Sequence, residues 1–390
     1  MGKRDKIIMD ITSTFLLYII IDGIALFFMS VANSYKVRIG NAIVTNSCSW
    51  SKIRFSTIFM FFSFLCLYCL MLFRDYVGTD YSAYVNSYYS IGLNNLYEGE
   101  KAWLMQSPSF FVLCKFLYFF TDNYVVMFAV VGFITLFFFY KSIHDISINW
   151  WLSLYLFLCF CLYYQAFNQI RQMMAIAIIS YSYRYLIEDD FKKFLIAIII
   201  AASFHLSAVI FFVAWFVRKR RMNLKHLTIY IAIGVVLFLF FSKIQDVFSF
   251  LGYVQTYAAD KNFSESFGLS TVLNFGVRLL MFVFCLLFYK ETVKRAPYAV
   301  VYYNIAALCT VLQVGAMMFN IFGRGTTYFY LAYLFLIPEV LKTISDHFDS
   351  LGKWLVYTMT IIFFAIYFVV YYFSPAGAEG AGYILYSTWL

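Results

Sequence analysis

Long apolar runs recur along the chain and dictate what it can fold into. Read at a window of about 19 residues, they lie near residues 9–32, 55–73, 123–140, 150–167, 169–188, 194–217, 228–242, 271–289, 298–320, 326–341 and 354–373. A shorter run at 107–120 is interrupted by Lys115. A helix of about 20 apolar residues crosses the hydrocarbon core of a membrane. Strand-like alternation is absent, so the runs predict membrane helices.

The composition agrees with this interpretation. Hydrophobic residues make up 63% of the 390 residues and charged residues only 13%. A water-soluble domain of this length could not bury that much apolar surface. We therefore predict an all-α, polytopic integral membrane bundle of about 11–13 transmembrane segments, short or re-entrant helices included. Residues 1–390 are expected to form a single transmembrane domain.

The positive charge indicates membrane orientation rather than nucleic-acid binding. The net charge is +9, but the basic residues lie in short loops between apolar runs, where they mark the cytoplasmic side. Most of the eight cysteines lie inside apolar runs, and Cys66 and Cys69 have no second pair at zinc-site spacing. We assign the cysteines neither a metal nor a disulfide.

Two segments resist a simple assignment of topology. The run 194–217 carries basic clusters at both ends and a polar break around His205, which predicts two half-helices that meet at the outer side. The run 107–120 is short, which predicts an interfacial or re-entrant helix. The loops 74–122 and 243–270, the N-terminus and the tail from Ser374 then lie outside. A competing topology makes both runs true spans and moves Arg171 to the cytoplasm.

A polar stretch follows the apolar run 55–73 without a gap. It reads Arg74-Asp75-Tyr76-Val77-Gly78-Thr79-Asp80-Tyr81-Ser82-Ala83-Tyr84. Arginine, tyrosine and a Gly-Thr-Asp turn are also typical of a plain interfacial anchor. The residues alone leave open whether the stretch is an interfacial anchor or part of a functional site.

The same stretch resembles a motif of the EpsG family, which is similar to the Wzy polymerases of bacterial surface polysaccharides. Three later stretches agree with that family in order and spacing. They are Asn168-Gln169-Ile170-Arg171-Gln172-Met173-Met174-Ala175, Ala202-Ser203-Phe204-His205-Leu206-Ser207-Ala208, and Gly323-Arg324 leading to Tyr328-Phe329. The resemblance covers roughly residues 55–340; the first fifty residues and the C-terminal tail carry no recognisable match.

The resemblance implies a polymerase of lipid-linked oligosaccharide repeat units for O-antigen, capsule or exopolysaccharide. It would sit in the bacterial inner (plasma) membrane, with its active site facing the periplasm or exterior. The implied substrate is an undecaprenyl-pyrophosphate-linked oligosaccharide in membrane lipid. No nucleotide or metal cofactor and no nucleic acid is implied, and a partner protein that regulates chain length is left open.

The candidate site residues follow from this chemistry. Arginine suits a pyrophosphate because it presents a planar, permanently charged fork of donors. Asp80 and His205 are alternative bases, and His205 fits a buried structural histidine equally well. Arg278 likewise fits a structural pair as well as a functional role. The candidate catalytic residues are Asp80, His205 and Arg171; the candidate substrate-binding residues are Arg74, Arg324, Arg278, Asn168, Gln172, Tyr81 and Tyr84.

Two other functions compete with the polymerase. A flippase for the same lipid would place cations along a path open to both faces and usually has related halves, but no internal repeat is detectable. A membrane glycosyltransferase that adds one sugar from a lipid-phosphate donor would share the arginines and the base. The sequence contains no P-loop, HExxH or DxD-type motif, which disfavours an ATP-driven pump, a zinc protease and a sugar-nucleotide transferase.

Overall fold

A computed structural model describes residues 7–36, 50–95, 101, 105–240, 269–318, 320–373, 382–383 and 385–388. Helices account for nearly all regular structure in this part of the chain. The predicted all-α, multi-pass fold class is confirmed. Residues 243–268 of the second predicted outer loop lie outside the described residues, as does Ser374.

The helices follow the apolar runs, with several more breaks than the runs suggested. They are α1 Ile11–Ser34, α2 Trp50–Leu72, α3 Tyr81–Gly92, α4 Pro108–Phe120, α5 Tyr124–Ile146, α6 Trp150–Cys159, α7 Leu162–Asn168, α8 Ile170–Glu188, α9 Phe191–Phe204, a 3₁₀ helix Leu206–Val213, α10 Ala214–Val217, α11 Leu224–Leu239, α12 Leu269–Leu287, α13 Tyr289–Arg295, α14 Ala299–Met318, α15 Asn320–Tyr330, α16 Ala332–Ser345 and α17 Ser350–Tyr372.

Five helical segments within the described residues are long and apolar enough to cross a membrane. They are Ile11–Ser34, Arg54–Leu72, Tyr124–Ile146, Ala299–Ala316 and Ser350–Tyr372. The pair α6 and α7 passes the same test jointly, although it bends by 49°. The bend replaces the single helix predicted for 150–167, and it falls at Cys161, whose φ of 55° interrupts the helix.

The described chain divides into two compact units. The first comprises residues 1–184, 196–206 and 359–390, and the second comprises residues 185–195 and 207–358. The prediction of a single transmembrane domain remains a prediction. The four stretches that resemble the EpsG family are distributed over both units.

Aromatic side chains form the core of the first unit around the start of α1. The ring of Tyr164 lies 4.8 Å from that of Tyr18 and 5.8 Å from that of Tyr383. The Tyr18 hydroxyl donates to the carbonyl of Tyr383 at 3.0 Å, and the Tyr164 hydroxyl donates to Oδ2 of Asp22 at 2.6 Å. These phenols bury large apolar rings while their hydroxyls remain paired.

Lys115 joins the helices α3 and α4, which both lie in the predicted outer loop 74–122. The Nζ atom of Lys115 on α4 donates to the carbonyls of Ile91 and Gly92 at 3.1 and 2.9 Å. It also donates to Oδ1 of Asn94 at 2.6 Å. These groups lie at the C-terminal end of α3, where a cation meets backbone carbonyls and the negative end of the helix dipole. The charge is thereby accommodated within the protein.

The run 194–217 is broken at His205, as the sequence predicted. The two halves return on each other, because the rings of Phe191 and Phe194 near the start of α9 lie 4.9 and 5.5 Å from the ring of Trp215 on α10. Arg218 and Lys219 pair with Asp189, just before α9. These two cations hold the pKa of the exposed Asp189 carboxyl below its usual value. Both basic ends of the run therefore lie together.

This arrangement predicts that the two ends of the run face the same side of the membrane. Single cysteines at Lys193 and Arg220, both exposed, are placed in a background without the native cysteines. An impermeant thiol reagent added to intact cells should then label either both positions or neither. Labelling of one position alone would show that 194–217 crosses as a single span.

Candidate active site

Arg74 begins the first polar motif, and aromatic rings surround it. Its side chain is 2% exposed. The guanidinium carbon lies 4.8 Å from the ring centre of Phe167, 5.2 Å from that of Phe128 and 5.8 Å from that of Tyr81. Its Nε and Nη1 atoms have no hydrogen-bond partner among the described residues. Arg74 is therefore a buried cation stabilised by ring faces.

Asn168 joins the first motif to the second. Its Oδ1 atom accepts hydrogen bonds from the backbone N–H of Asp80 at 2.8 Å and from the hydroxyl of Thr79 at 3.1 Å. The Asp80 side chain makes no capping bond to α3, so the amide of Asn168 anchors the start of that helix. Asn168 is the last residue of α7, whereas Arg171 lies in α8.

Gly78 allows these two motifs to meet. It has a φ of +105°, and a Cβ atom there would lie 2.7 Å from the carbonyl oxygen of Phe167 and 3.2 Å from Cα of Asn168. Only glycine combines this backbone conformation with so close an approach. Glycine at position 78 is thus required by the contact itself.

Arg171 lies just inside the start of α8, as predicted, and is 7% exposed. Its Nη1 atom donates to Oγ of Ser107 at 3.1 Å. Ser107 precedes α4, and its side chain makes no capping bond to that helix. The guanidinium carbon lies 5.8 Å from the ring centre of Tyr84 and 6.0 Å from that of Phe110. Arg171 thus brings together α3, α4 and α8.

The third motif reaches the same end of α4. Oγ of Ser109 donates to Oγ of Ser203 at 2.7 Å. His205 follows two residues later, at the break after α9, and is 9% exposed. Its backbone N–H donates to the carbonyl of Ala201 at 3.0 Å. The start of α4 therefore has contacts from both Arg171 and the His205 segment.

Other predicted residues of the first unit are buried. Gln172 is buried beside Arg171 in sequence. Tyr81 stacks on Phe128 with ring centres 4.2 Å apart, and Tyr84 lies against Arg171. Both tyrosines pack around the motif arginines in this structure. Their predicted contact with sugar remains a prediction.

Arg278 lies in the second unit, where it links three helices. Its Nη1 atom on α12 donates to Gln313 on α14 and, at 3.0 Å, to Oγ1 of Thr326 on α15. The guanidinium carbon lies 4.5 Å from the ring centre of Tyr330. These partners come from helices that are distant in sequence, so the residues around Arg278 do not indicate them.

Arg324 also lies in the second unit. In the sequence it falls between two apolar runs, and in the structure it lies within α15. Its side chain is partly exposed. One turn later, the Tyr328 hydroxyl hydrogen-bonds Oγ of Ser207 at 2.9 Å. The fourth motif thus contacts the residue that ends the polar break of the third.

Two further residues of the first unit were not among the candidates predicted from the sequence. Ser107 stands before a proline that opens α4, which is a common helix-start pattern. Asp22 lies inside the first apolar run and is buried there; its Oδ1 atom lacks a partner among the described residues. A carboxylate at membrane depth is itself a signal of function or of a specific partner.

The contact at Gly78 yields a prediction. Gly78→Ala should lower the free energy of unfolding by about 1–3 kcal/mol, because the new Cβ meets the Phe167 carbonyl and φ is positive. Thermal unfolding in detergent measures the change. Gly23→Ala on α1, where no atom lies within 4 Å of the new Cβ, is the matched control and should be neutral or stabilising by up to about 1 kcal/mol. Equal effects of the two substitutions would contradict the described contact.

Comparison with known proteins identifies the family of the chain. The model of the EpsG family matches residues 57–388, so the match runs past the predicted limit near residue 340 and includes the C-terminal tail. No curated protein and no solved structure matches the chain. The matched range covers most of the chain, which therefore belongs to the EpsG family, whose members are Wzy-like polymerases.

Proposed function

We propose that this protein polymerises lipid-linked oligosaccharide repeat units at the outer face of the bacterial plasma membrane. A sugar hydroxyl of the acceptor unit attacks the anomeric carbon of the growing glycan. The bond from that carbon to the pyrophosphate oxygen breaks, and polyprenyl pyrophosphate leaves. The hydroxyl proton passes to a base. Family membership supports the general activity; the substrate and the residue roles are our proposal.

The observation that carries the proposal is the meeting of Arg171 with the start of α4. A helix N-terminus carries partial positive charge and free N–H groups. A guanidinium beside it adds to the positive potential that an anionic ligand meets there. The Nη1 atom of Arg171 lies 3.1 Å from Oγ of Ser107 at this point. A pyrophosphate bound here would be attracted by both groups, and the charge that develops as it leaves would be stabilised.

Arg74 contributes to the same binding in a different way. Within the described residues no carboxylate pairs with its buried charge, and ring faces enclose it. An uncompensated cation in a medium of low dielectric constant projects its field further than one in water. We propose that Arg74 attracts the pyrophosphate through this field. Arg324 and Arg278 of the second unit are proposed as further cations for the substrate, without a metal ion.

Asp80 and His205 are the two proposed bases. Asp80 stands partly buried at the start of α3, held through its backbone by Asn168. His205 stands at the break between α9 and the 3₁₀ helix. Each lies where regular backbone structure begins or ends, so its side chain can point away from a helix surface. Gln172 and the tyrosines Tyr81 and Tyr84 are proposed to complete the sugar-binding surface.

The role of Arg171 is tested with purified protein in nanodiscs and lipid-linked repeat units as sole substrate. Wild type should produce a ladder of products on a gel. Arg171→Ala should lower the rate of chain growth by about 10²-fold or more, because one preorganised donor to the leaving group is lost. A ladder that persists at the wild-type rate would remove Arg171 from the site.

Arg184→Ala is the matched control. Arg184 lies on the same helix and pairs with Asp145 at 3.3 Å, with 41% of its side chain exposed. The Asp145 carboxylate keeps its pairs with Lys141 and His144 in this variant, so the rate should stay within about twofold of wild type. Absence of a ladder from folded wild type would instead favour the flippase, and single-sugar products would favour the one-step transferase.

The two candidate bases are distinguished by near-isosteric substitutions. Asp80→Asn and His205→Gln each remove a proton acceptor while retaining size and polarity. The substitution at the true base should lower kcat by about 10² to 10⁴-fold, and the other should have a much smaller effect. The measurement is the initial rate of chain growth at saturating substrate. Near-wild-type rates for both variants would exclude both residues as the base.

A further inference from the structure

A short C-terminal segment lies along the backbone of the first motif. We call it the strap; its described residues are 382–383 and 385–388. The N–H of Asp75 donates to the carbonyl of Ser387 at 2.8 Å, and the N–H of Gly78 donates to the carbonyl of Gly382 at 2.9 Å. The Ser387 hydroxyl also donates to the carbonyl of Asp75. The strap therefore holds the motif at two points, one on each side of Tyr76.

The strap is anchored to the helices of the first unit. The Tyr386 hydroxyl donates to the carbonyl of Leu70 at 3.0 Å, and the Tyr386 N–H donates to Oγ1 of Thr14 at 2.9 Å. Tyr383 is fixed through its carbonyl by the Tyr18 hydroxyl. Tyr383 and Tyr386 are both buried. The strap is thus packed firmly against the helices of the first unit, so it can hold the motif backbone in a fixed position.

The motif backbone between those two points adopts a costly conformation. Tyr76 has a φ of 55° and Gly78 a φ of +105°. A bulky side chain in the left-handed region persists only where the surroundings determine it. The hydrogen bonds of Asp75 and Gly78 to the strap flank Tyr76. These two hydrogen bonds hold Tyr76 in its left-handed conformation.

Gly382 brings the strap against the residue before Asp80. Its φ is +73°, and a Cβ atom there would lie 2.9 Å from the backbone N of Thr79 and 3.0 Å from its Cγ2. Thr79 in turn donates to Oδ1 of Asn168. Any displacement of the strap would therefore move a residue that contacts the second motif.

We propose that the strap positions the Arg74–Asp80 segment for polymerisation, with Gly382 and Tyr386 as its positioning residues. Their action is indirect: they fix the backbone that places Asp80 against Asn168 and Arg74 among its aromatic neighbours. This inference rests on the proposed function. It assigns a role in the reaction to a segment that contains no candidate catalytic group.

The test compares Gly382→Ala and Tyr386→Phe with Tyr155→Phe. The Tyr155 hydroxyl donates to the carbonyl of Ile361 at 2.6 Å, so its loss removes the same kind of bond from the same unit, away from the motif. For each variant the chain-growth rate per folded molecule and the midpoint of thermal unfolding are measured in nanodiscs. Hydrogen exchange of residues 74–80 is followed alongside.

We expect Gly382→Ala to lower kcat/KM on the order of 10²-fold, because a displacement of about 1 Å can have that effect. Tyr386→Phe should lower it less and still fold, and exchange at residues 74–80 should rise in both variants. Tyr155→Phe should keep kcat/KM within about twofold of wild type, whatever its unfolding midpoint.

Strap variants with a lowered midpoint but a wild-type rate per folded molecule would overturn the proposal and leave the strap a purely stabilising segment. A matching loss of rate in Tyr155→Phe would overturn it as well. A wild type that makes no polymer would remove the proposed function and this inference with it. A wild-type ladder with fully active strap variants removes only this inference.

Discussion

The hydrogen bonds accepted by Asn168 are the constraint on which the first unit depends. One amide oxygen fixes the start of α3 through Asp80 and Thr79, and the same residue ends the bent pair of helices that leads to Arg171. The left-handed Cys161 directs α7 toward this contact. A carboxylate from one motif and a cation from another are thereby held by backbone rather than by their own flexible side chains, which is the usual requirement of a preorganised site.

Much of the fold could be predicted because membranes impose simple rules on sequence. The length of the apolar runs, together with the need to pair every backbone N–H and C=O group within the membrane, predicted the ends of most helices to within a few residues. The polar break at His205, combined with basic residues on both sides of the run, correctly indicated two half-helices. The four motifs were recognisable because polar groups stand out at the ends of apolar runs.

The contacts that build the site could not be predicted from local pattern. Asn168 and Asp80 are separated by 88 residues, and nothing near either residue indicates the other. Cys161 carries none of the glycine or proline signals that usually mark a break, so the bend was missed. Burial of Arg74 among rings depends on Phe128 and Phe167, which are two of many aromatic residues in an aromatic-rich chain. Arg324 falls between two apolar runs, and the hydropathy pattern alone does not show that the helix α15 continues through it.

The strands Ile7–Ile8 and Ser387–Thr388 pair antiparallel, and this pairing bears on how the protein is made. All of the described helices lie between the two strands in sequence, so the first strand cannot pair until those helices have been synthesised and inserted. Contacts of such large sequence separation form late, because the closure entropy must be met before they contribute. A nascent chain would therefore hold its motifs in the membrane in an unfinished geometry until residues 387–388 have been synthesised and paired, so that catalytic competence would arise only after that pairing.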